Sequence, residues 1–177
     1  SKNIDDYHRF VYIKNAELCW KTGNWTLNGG LISTTAFNVQ EKFWSYRYIM
    51  RTFQDKYRFG SSADLGISVA YRFNEIVTAD AIVVNGEGYK KIQVGDGLLY
   101  GLGATVTPLK GLTVRLYGSM NEAADGMGKN TWNYALFAGY KHQQFHAGFE
   151  FNYMQNYLGK THNDLYGFSL YGATHLW

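Results

Sequence analysis

From Ala63 to Phe73 the chain alternates without a break, with Ala63, Leu65, Ile67, Val69, Tyr71 and Phe73 on one parity and Asp64, Gly66, Ser68, Ala70 and Arg72 on the other. A period of two belongs to an extended strand, whose successive side chains point to opposite faces. Five runs behave this way besides it or nearly so: 77–83, 98–106, 112–120, 132–140 and 145–153 each keep one parity free of charge. Two earlier runs, Phe10 to Trp20 and Trp25 to Leu31, alternate less cleanly, because Lys14 falls on the apolar parity of the first. A last run, 165–176, sets Tyr166, Phe168 and Leu170 against Tyr171 and Ala173, so its facing stays open. Nine strands are predicted.

The connections alternate in length. Residues 22–24, 74–75, 109–111 and 142–144 read as tight turns, whereas 35–60, 85–97, 121–131 and 156–164 read as long loops. In an up-and-down meander alternate connections lie at the same end of the sheet. One end therefore has only tight turns and the other all the long loops, an asymmetry that outer-membrane barrels share.

Alternation alone does not say whether the apolar parity lines a core or meets lipid, since a soluble barrel or lipocalin-like cup puts Leu, Val and Phe inside. Three features favour the inverted arrangement. The polar parity is rich in Gly, Ser, Thr and Asn, rather than in the long charged residues of a solvated sheet face. The apolar runs end in aromatics, with Trp20, Trp25, Tyr71, Phe73, Tyr140 and Phe145 near the tight turns and Trp132, Tyr153, Tyr166 and Phe168 near the long loops. Those positions suit two girdles at the membrane interfaces. Most runs also have the roughly 9 to 13 residues that cross a bilayer at a tilt.

Other classes fall away on simple counts. No apolar run approaches the ~18 residues of a membrane helix, while the negative mean hydropathy is no argument against a barrel with alternating strands. A single cysteine, Cys19, leaves no internal disulfide framework or cysteine-rich zinc site. A formal charge of +3 over 177 residues is no nucleic-acid footprint. The expected fold is all-β, an antiparallel up-and-down transmembrane barrel forming a single domain.

Strand parity adds a topological expectation. With the tight turns on the periplasmic side, the first and ninth strands both run inward, whereas bacterial barrels have an even strand number. Residues 1–177 thus read as a segment of a larger barrel. The chain has no initiator Met and no signal-peptide pattern, which fits a mature or truncated chain. Trp177 reads either as the terminal aromatic of an outer-membrane strand or as a point within a longer barrel.

Four segments carry a resemblance. Gln40-Glu41-Lys42-Phe43-Trp44 with Tyr46-Arg47-Tyr48, Phe59-Gly60-Ser61-Ser62-Ala63-Asp64-Leu65-Gly66, Val84-Asn85-Gly86-Glu87-Gly88-Tyr89-Lys90 and Thr107-Pro108-Leu109-Lys110-Gly111-Leu112-Thr113-Val114 together resemble outer-membrane porins of Gram-negative bacteria, in the broad group related to the phosphate-selective porins O and P. The resemblance implies a larger barrel, often a homotrimer, set in the cell outer membrane among lipid and lipopolysaccharide. It implies a water-filled channel for small hydrophilic solutes, with no cofactor. Phosphate selectivity does not carry over, because nothing here matches the arginine ladder and lysine cluster it requires.

The candidate working parts follow from these readings. The loop at 35–60 holds Lys42, Arg47, Arg51, Lys56 and Arg58 against Glu41 and Asp55, so its net charge equals the +3 of the whole chain. It also carries eight aromatics. Irregular backbone at membrane depth is tolerated where it lines an aqueous lumen. The expectation is a constriction element anchored by its aromatics, with Arg47 and Arg51 on one face of a short helical turn; the alternative is a loop packed on the barrel rim. Asp64, Arg72, Asp80, Arg115, Lys141, His146 and Glu150 fall on the polar parity and would line the pore, either setting its potential or neutralising one another as ion pairs. With both signs present, strong selectivity from the wall alone is not expected.

Weaker motifs lead nowhere specific. His142 and His146 have metal-ligand spacing but straddle a turn. Gly86 and Gly88 do not precede a helical pattern, as a phosphate cradle would. No Ser-His-Asp grouping stands out, and enzymatic activity is not expected. The leading reading is a passive diffusion porin. Its alternatives are a binding or adhesion barrel with a closed lumen and a soluble β-barrel holding an apolar ligand.

Overall fold

The computed structural model describes residues 13–90, 95–124 and 128–174. Nine strands form one sheet in sequence order: β1 (Ala16–Thr22), β2 (Trp25–Ser33), β3 (Ala63–Arg72), β4 (Val77–Val84), β5 (Leu99–Leu109), β6 (Leu112–Asn121), β7 (Thr131–Lys141), β8 (Phe145–Gln155) and β9 (Leu165–Thr174). Every neighbouring pair is antiparallel. Among the described residues β1 and β9 pair on one side only, so the sheet is not closed. Two short helices, α1 (Asn38–Trp44) and α2 (Phe53–Tyr57), lie between β2 and β3.

The tight turns have local causes. Gly23 and Gly111 take positive φ of 53° and 89° between the strands they join, a region that costs glycine nothing. Asn74 closes the β3–β4 turn with its own side chain, its Oδ1 accepting from the Ile76 and Val77 amides at 2.9 and 2.8 Å. The long connections all emerge at the opposite end of the sheet.

Pairing register carries each parity through to one face. Leu65, Ile67, Leu102, Leu116, Phe149 and Phe151 are exposed, while Asp64, Arg115, Asn133, His146, Glu150 and Asn152 are buried. This is the reverse of a sheet folded in water, where apolar atoms leave the solvent and charged ones stay in it. The open facing of the last strand resolves in the same sense. Tyr166, Phe168 and Leu170 join the exposed apolar face, and Tyr171 turns to the polar one.

Aromatic residues gather at both ends of the apolar face. Near the tight turns the rings of Trp25 and Tyr71 lie 4.5 Å apart, Tyr71 and Phe73 4.8 Å, and Tyr140 and Phe145 6.1 Å. Near the long loops Trp132, Tyr134 and Tyr153 stack in a row at 6.5 and 6.3 Å. Trp20 is exposed on β1 beside Leu27 of β2. One expectation at the N-terminal end is corrected: Lys14 precedes β1 and is on no strand, so it does not interrupt the apolar face. Phe10, Tyr12 and the residues from His175 to Trp177 lie outside the described residues.

Candidate functional site

The segment from Thr34 to Ser62 is pinned at its base by the Thr34 amide, which donates to the Ser62 carbonyl at 3.2 Å. From there it crosses the polar face. Although it joins β2 to β3, its side chains seat on β6 to β9. Ala36 and Phe37 pack with Tyr117 and Ala135. Phe43 lies 5.2 Å from the Phe137 ring, and Trp44 lies 4.7 Å from Tyr171. The Gln54 amide donates to Asn152 Oδ1 at 2.7 Å, and the Asn133 amide donates to the Phe59 carbonyl at 3.2 Å. The first bond joins two side chains, and the second pairs the backbone carbonyl of Phe59 with β7.

Glycines on the polar face make room for these rings. A Cβ at Gly139 would lie 2.6 Å from the ring carbons of both Phe43 and Phe137, and one at Gly167 would overlap Phe53. They are sockets for the aromatics of the segment rather than open wall.

Arg115 is one of the two most buried charged residues, 1% exposed like Glu150. It grips Asp80 with both terminal nitrogens, at 2.7 and 3.0 Å, and donates to Thr105 Oγ1 at 2.9 Å and to the Thr35 carbonyl at 2.7 Å. A two-point guanidinium–carboxylate pair of this kind fixes geometry as well as charge. The pair reaches across β5 because Gly103 lies opposite Asp80 in the register. Any Cβ there would overlap the guanidinium and the carboxylate. Arg115 therefore joins β4, β5, β6 and the crossing segment at one point.

The other predicted wall residues separate by position. Asp64 accepts from the Leu65 amide at 2.8 Å and from the Gly86 and Gly88 amides at 2.8 and 3.0 Å. Those glycines have φ of 85° and 84°, so the Asn-Gly-Glu-Gly loop does form an amide cradle, and the carboxylate of Asp64 fills it. His146 is buried under the segment, stacked on Tyr46 at 5.4 Å and edge-on to Phe43 and Trp44. Glu150 is 1% exposed, beside the Phe53 amide and the Tyr171 hydroxyl, without a hydrogen bond of regular geometry to either. Arg72 and Lys141 are exposed near the tight-turn end of the polar face. His142 sits in a turn against Phe145 and is not brought together with His146. Among the described residues no group of three potential metal ligands converges.

Within the segment, Tyr46 to Met50 closes a single turn, with the Ile49 and Met50 amides donating to the Tyr46 carbonyl. Arg47 is inside this turn and Arg51 follows it, so they do not share a helical face; they converge instead on Asp55. Arg47 contacts Asp55 at 2.7 Å and Glu41 at 2.9 Å, and Arg51 approaches Asp55 at 3.8 Å. The hydrogen bond to Asp55 raises the Arg47 pKa above its ordinary value. Partial burial raises that of Glu41, against the pull of Arg47 beside it. Lys42, Arg51, Lys56 and Arg58 are exposed, and Lys56 Nζ lies over the Tyr57 ring at 5.4 Å.

Sequence reasoning missed the seats of the segment. Tyr117, Phe137, Met154 and Tyr171 are large residues on the polar parity. Such residues at positions otherwise given to Gly, Ser and Asn were the available signal. No family model, curated protein or solved structure matches the chain.

Removing one partner of the Arg115–Asp80 pair leaves a buried charge alone. Arg115→Met or Asp80→Leu singly is expected to cost about 3–5 kcal/mol, and the double substitution much less. Urea midpoints of the three variants against the unsubstituted protein check this; equal losses in all three would contradict it.

Proposed function

We propose that the chain is a segment of an outer-membrane porin, in which the polar face lines a water-filled lumen and residues 34–62 narrow it. Small hydrophilic solutes diffuse through, anions in preference to cations. One observation carries the reading: the sheet exposes Leu65, Leu102, Leu116, Phe149 and Phe151 and buries Asp64, Arg115 and Glu150. Lipid rather than water is the solvent that suits such an outer face.

Dimensions support it. From Phe145 to Tyr153, which carry the aromatics at the two ends of β8, the strand rises about 27 Å. At a tilt of about 40° that gives roughly 21 Å along the membrane normal, close to the ~25 Å apolar band of such barrels. Trp20, Trp25, Tyr71, Phe73, Tyr140 and Phe145 then mark one interface, and Trp132 and Tyr153 the other.

The open edges bear on how the barrel is completed. In an antiparallel sheet of nine strands β1 and β9 run the same way. Copies of this sheet sharing one membrane orientation would meet in parallel at every seam. An all-antiparallel barrel therefore needs an odd number of further strands between these edges.

The preference for anions comes from which charges meet water. On the strands' polar parity and on residues 34–62 the carboxylates are Glu17, Glu41, Asp55, Asp64, Asp80 and Glu150. Arg47 holds Glu41 and Asp55, Arg115 holds Asp80, three amides hold Asp64, and Glu150 is buried. Glu17 alone of these is exposed, on the edge strand. Lys21, Lys42, Arg51, Lys56, Arg58, Arg72 and Lys141 are all exposed. Accessible cations on a narrow wall raise the local concentration of anions.

Two kinds of measurement test this. For the membrane placement, Leu116→Arg, at the middle of the apolar face of β6, is expected to cost about 2–4 kcal/mol of folding free energy in lipid vesicles. A protein that folds in buffer without detergent and tolerates the change would refute the placement. For the lumen, Arg47→Ala is expected to lower the anion-to-cation permeability ratio in planar bilayers more than Arg51→Ala does, because it also releases Glu41 and Asp55. Unchanged selectivity in both variants would rule out the constriction.

Acidity gives an independent handle. Because burial raises the Glu41 pKa from its ordinary value, it takes up its proton earlier as the pH falls than an exposed glutamate would, and the constriction becomes more positive. Anion preference is expected to rise in that interval, and Glu41→Gln to abolish the rise.

A further inference from the structure

Residues 46–58 do more than narrow the passage: we infer that their exposed surface binds organic anions with an aromatic body, the class of aromatic carboxylates. The inference rests on the channel reading above.

Exposed aromatics are the first support. Most aromatics of the segment are spent on anchoring, against Phe137, Tyr171, His146 and the Gly167 socket. Tyr48 and Tyr57 are not. Tyr48 is 80% exposed and Tyr57 50%, with Ile49 and Met50 next to Tyr48 also more than half exposed. The contiguous exposed run Tyr48-Ile49-Met50 on an otherwise packed element is the kind of surface at which ligands bind.

Charge names the ligand. Tyr48 shares its turn with Arg47 and is followed by Arg51, and the ammonium of Lys56 lies 5.4 Å from the centre of the Tyr57 ring. The two carboxylates of the segment are both engaged by Arg47 and largely shielded. The Tyr57 ring therefore has a cation over it, Tyr48 lies in the chain between Arg47 and Arg51, and the segment has no free acid to repel an anion. A planar carboxylate can pair with the cation while its ring lies against tyrosine. A small inorganic anion uses only the charge, and a neutral aromatic only the ring. Each contact is weak, which suits a passage that must release what it binds.

The test uses the full-length protein in planar bilayers carrying chloride current. Benzoate is expected to reduce that current at concentrations where acetate does not. Tyr48→Ser and Tyr57→Ser together are expected to raise the half-blocking benzoate concentration about fivefold, the scale of one aromatic contact, with chloride-over-potassium selectivity retained. If benzoate and acetate act alike while anion preference is intact, the inference fails and the channel reading stands. If no conductance is seen, the channel reading fails and the inference with it. A third measurement separates a ligand surface from a ring packed on the rest of the barrel. In a Cys19→Ser background, Tyr48→Cys is expected to react with a charged, membrane-impermeant thiol reagent, and benzoate to slow the reaction. A Tyr48→Cys thiol that stays unreactive places that position against the barrel wall and overturns the inference.

Discussion

A sheet that exposes its apolar side and is covered on its polar side by a crossing segment needs partners for the polar groups that the segment shuts off from solvent, and much of the remaining architecture answers to that constraint. In water the polar face would simply be solvated. Here the crossing segment covers much of it, so hydrogen bonds must replace water where Arg115, Asn133 and Asn152 are buried. Arg115 is the clearest case, because its two-point grip on Asp80, with Thr105 and the Thr35 carbonyl, ties three strands and the segment together. The pair need not add stability over an apolar equivalent. It specifies where the segment lies.

Glycine has a second role under the same constraint. On the polar face of a barrel strand a glycine reads at first as a way to keep the wall thin. At Gly139 and Gly167 it is a socket that receives a phenylalanine from the segment, and at Gly103 it is the gap through which an arginine reaches an aspartate two strands away. A side chain at any of these positions would have to displace the ring or the guanidinium it now receives.

Charge is sorted by the fold rather than by composition. The polar parity and the segment contain both signs, and from the sequence they could cancel. In the folded chain these acids, Glu17 apart, are enclosed by arginine or backbone amides, or buried, while the lysines there and every arginine but Arg115 stay exposed. The reason is chemical as much as topological. A carboxylate is compact and accepts several backbone amides, as Asp64 does, whereas a long cationic side chain can carry its charge to water from a partly buried stem.

The nine strands, the faces of all but the last, and the end from which each long connection leaves were legible in the sequence, because period two and turn chemistry are local. Residues 63–73 needed only their own alternation, and the Asn74 turn only its own side chain. The path of residues 34–62 was not legible. It depends on rings from one part of the chain finding sockets on strands more than seventy residues away, such as Phe43 on Gly139, and no local pattern encodes that distance. Nor was the difference between Asp64 and Arg72, two charges on one strand and one parity: the first is enclosed by the 85–90 loop and the second is exposed. The sequence by itself determined which side chains share a face. Only the tertiary structure decided which of them meet, since contact across the sheet is set by packing and pairing between distant segments.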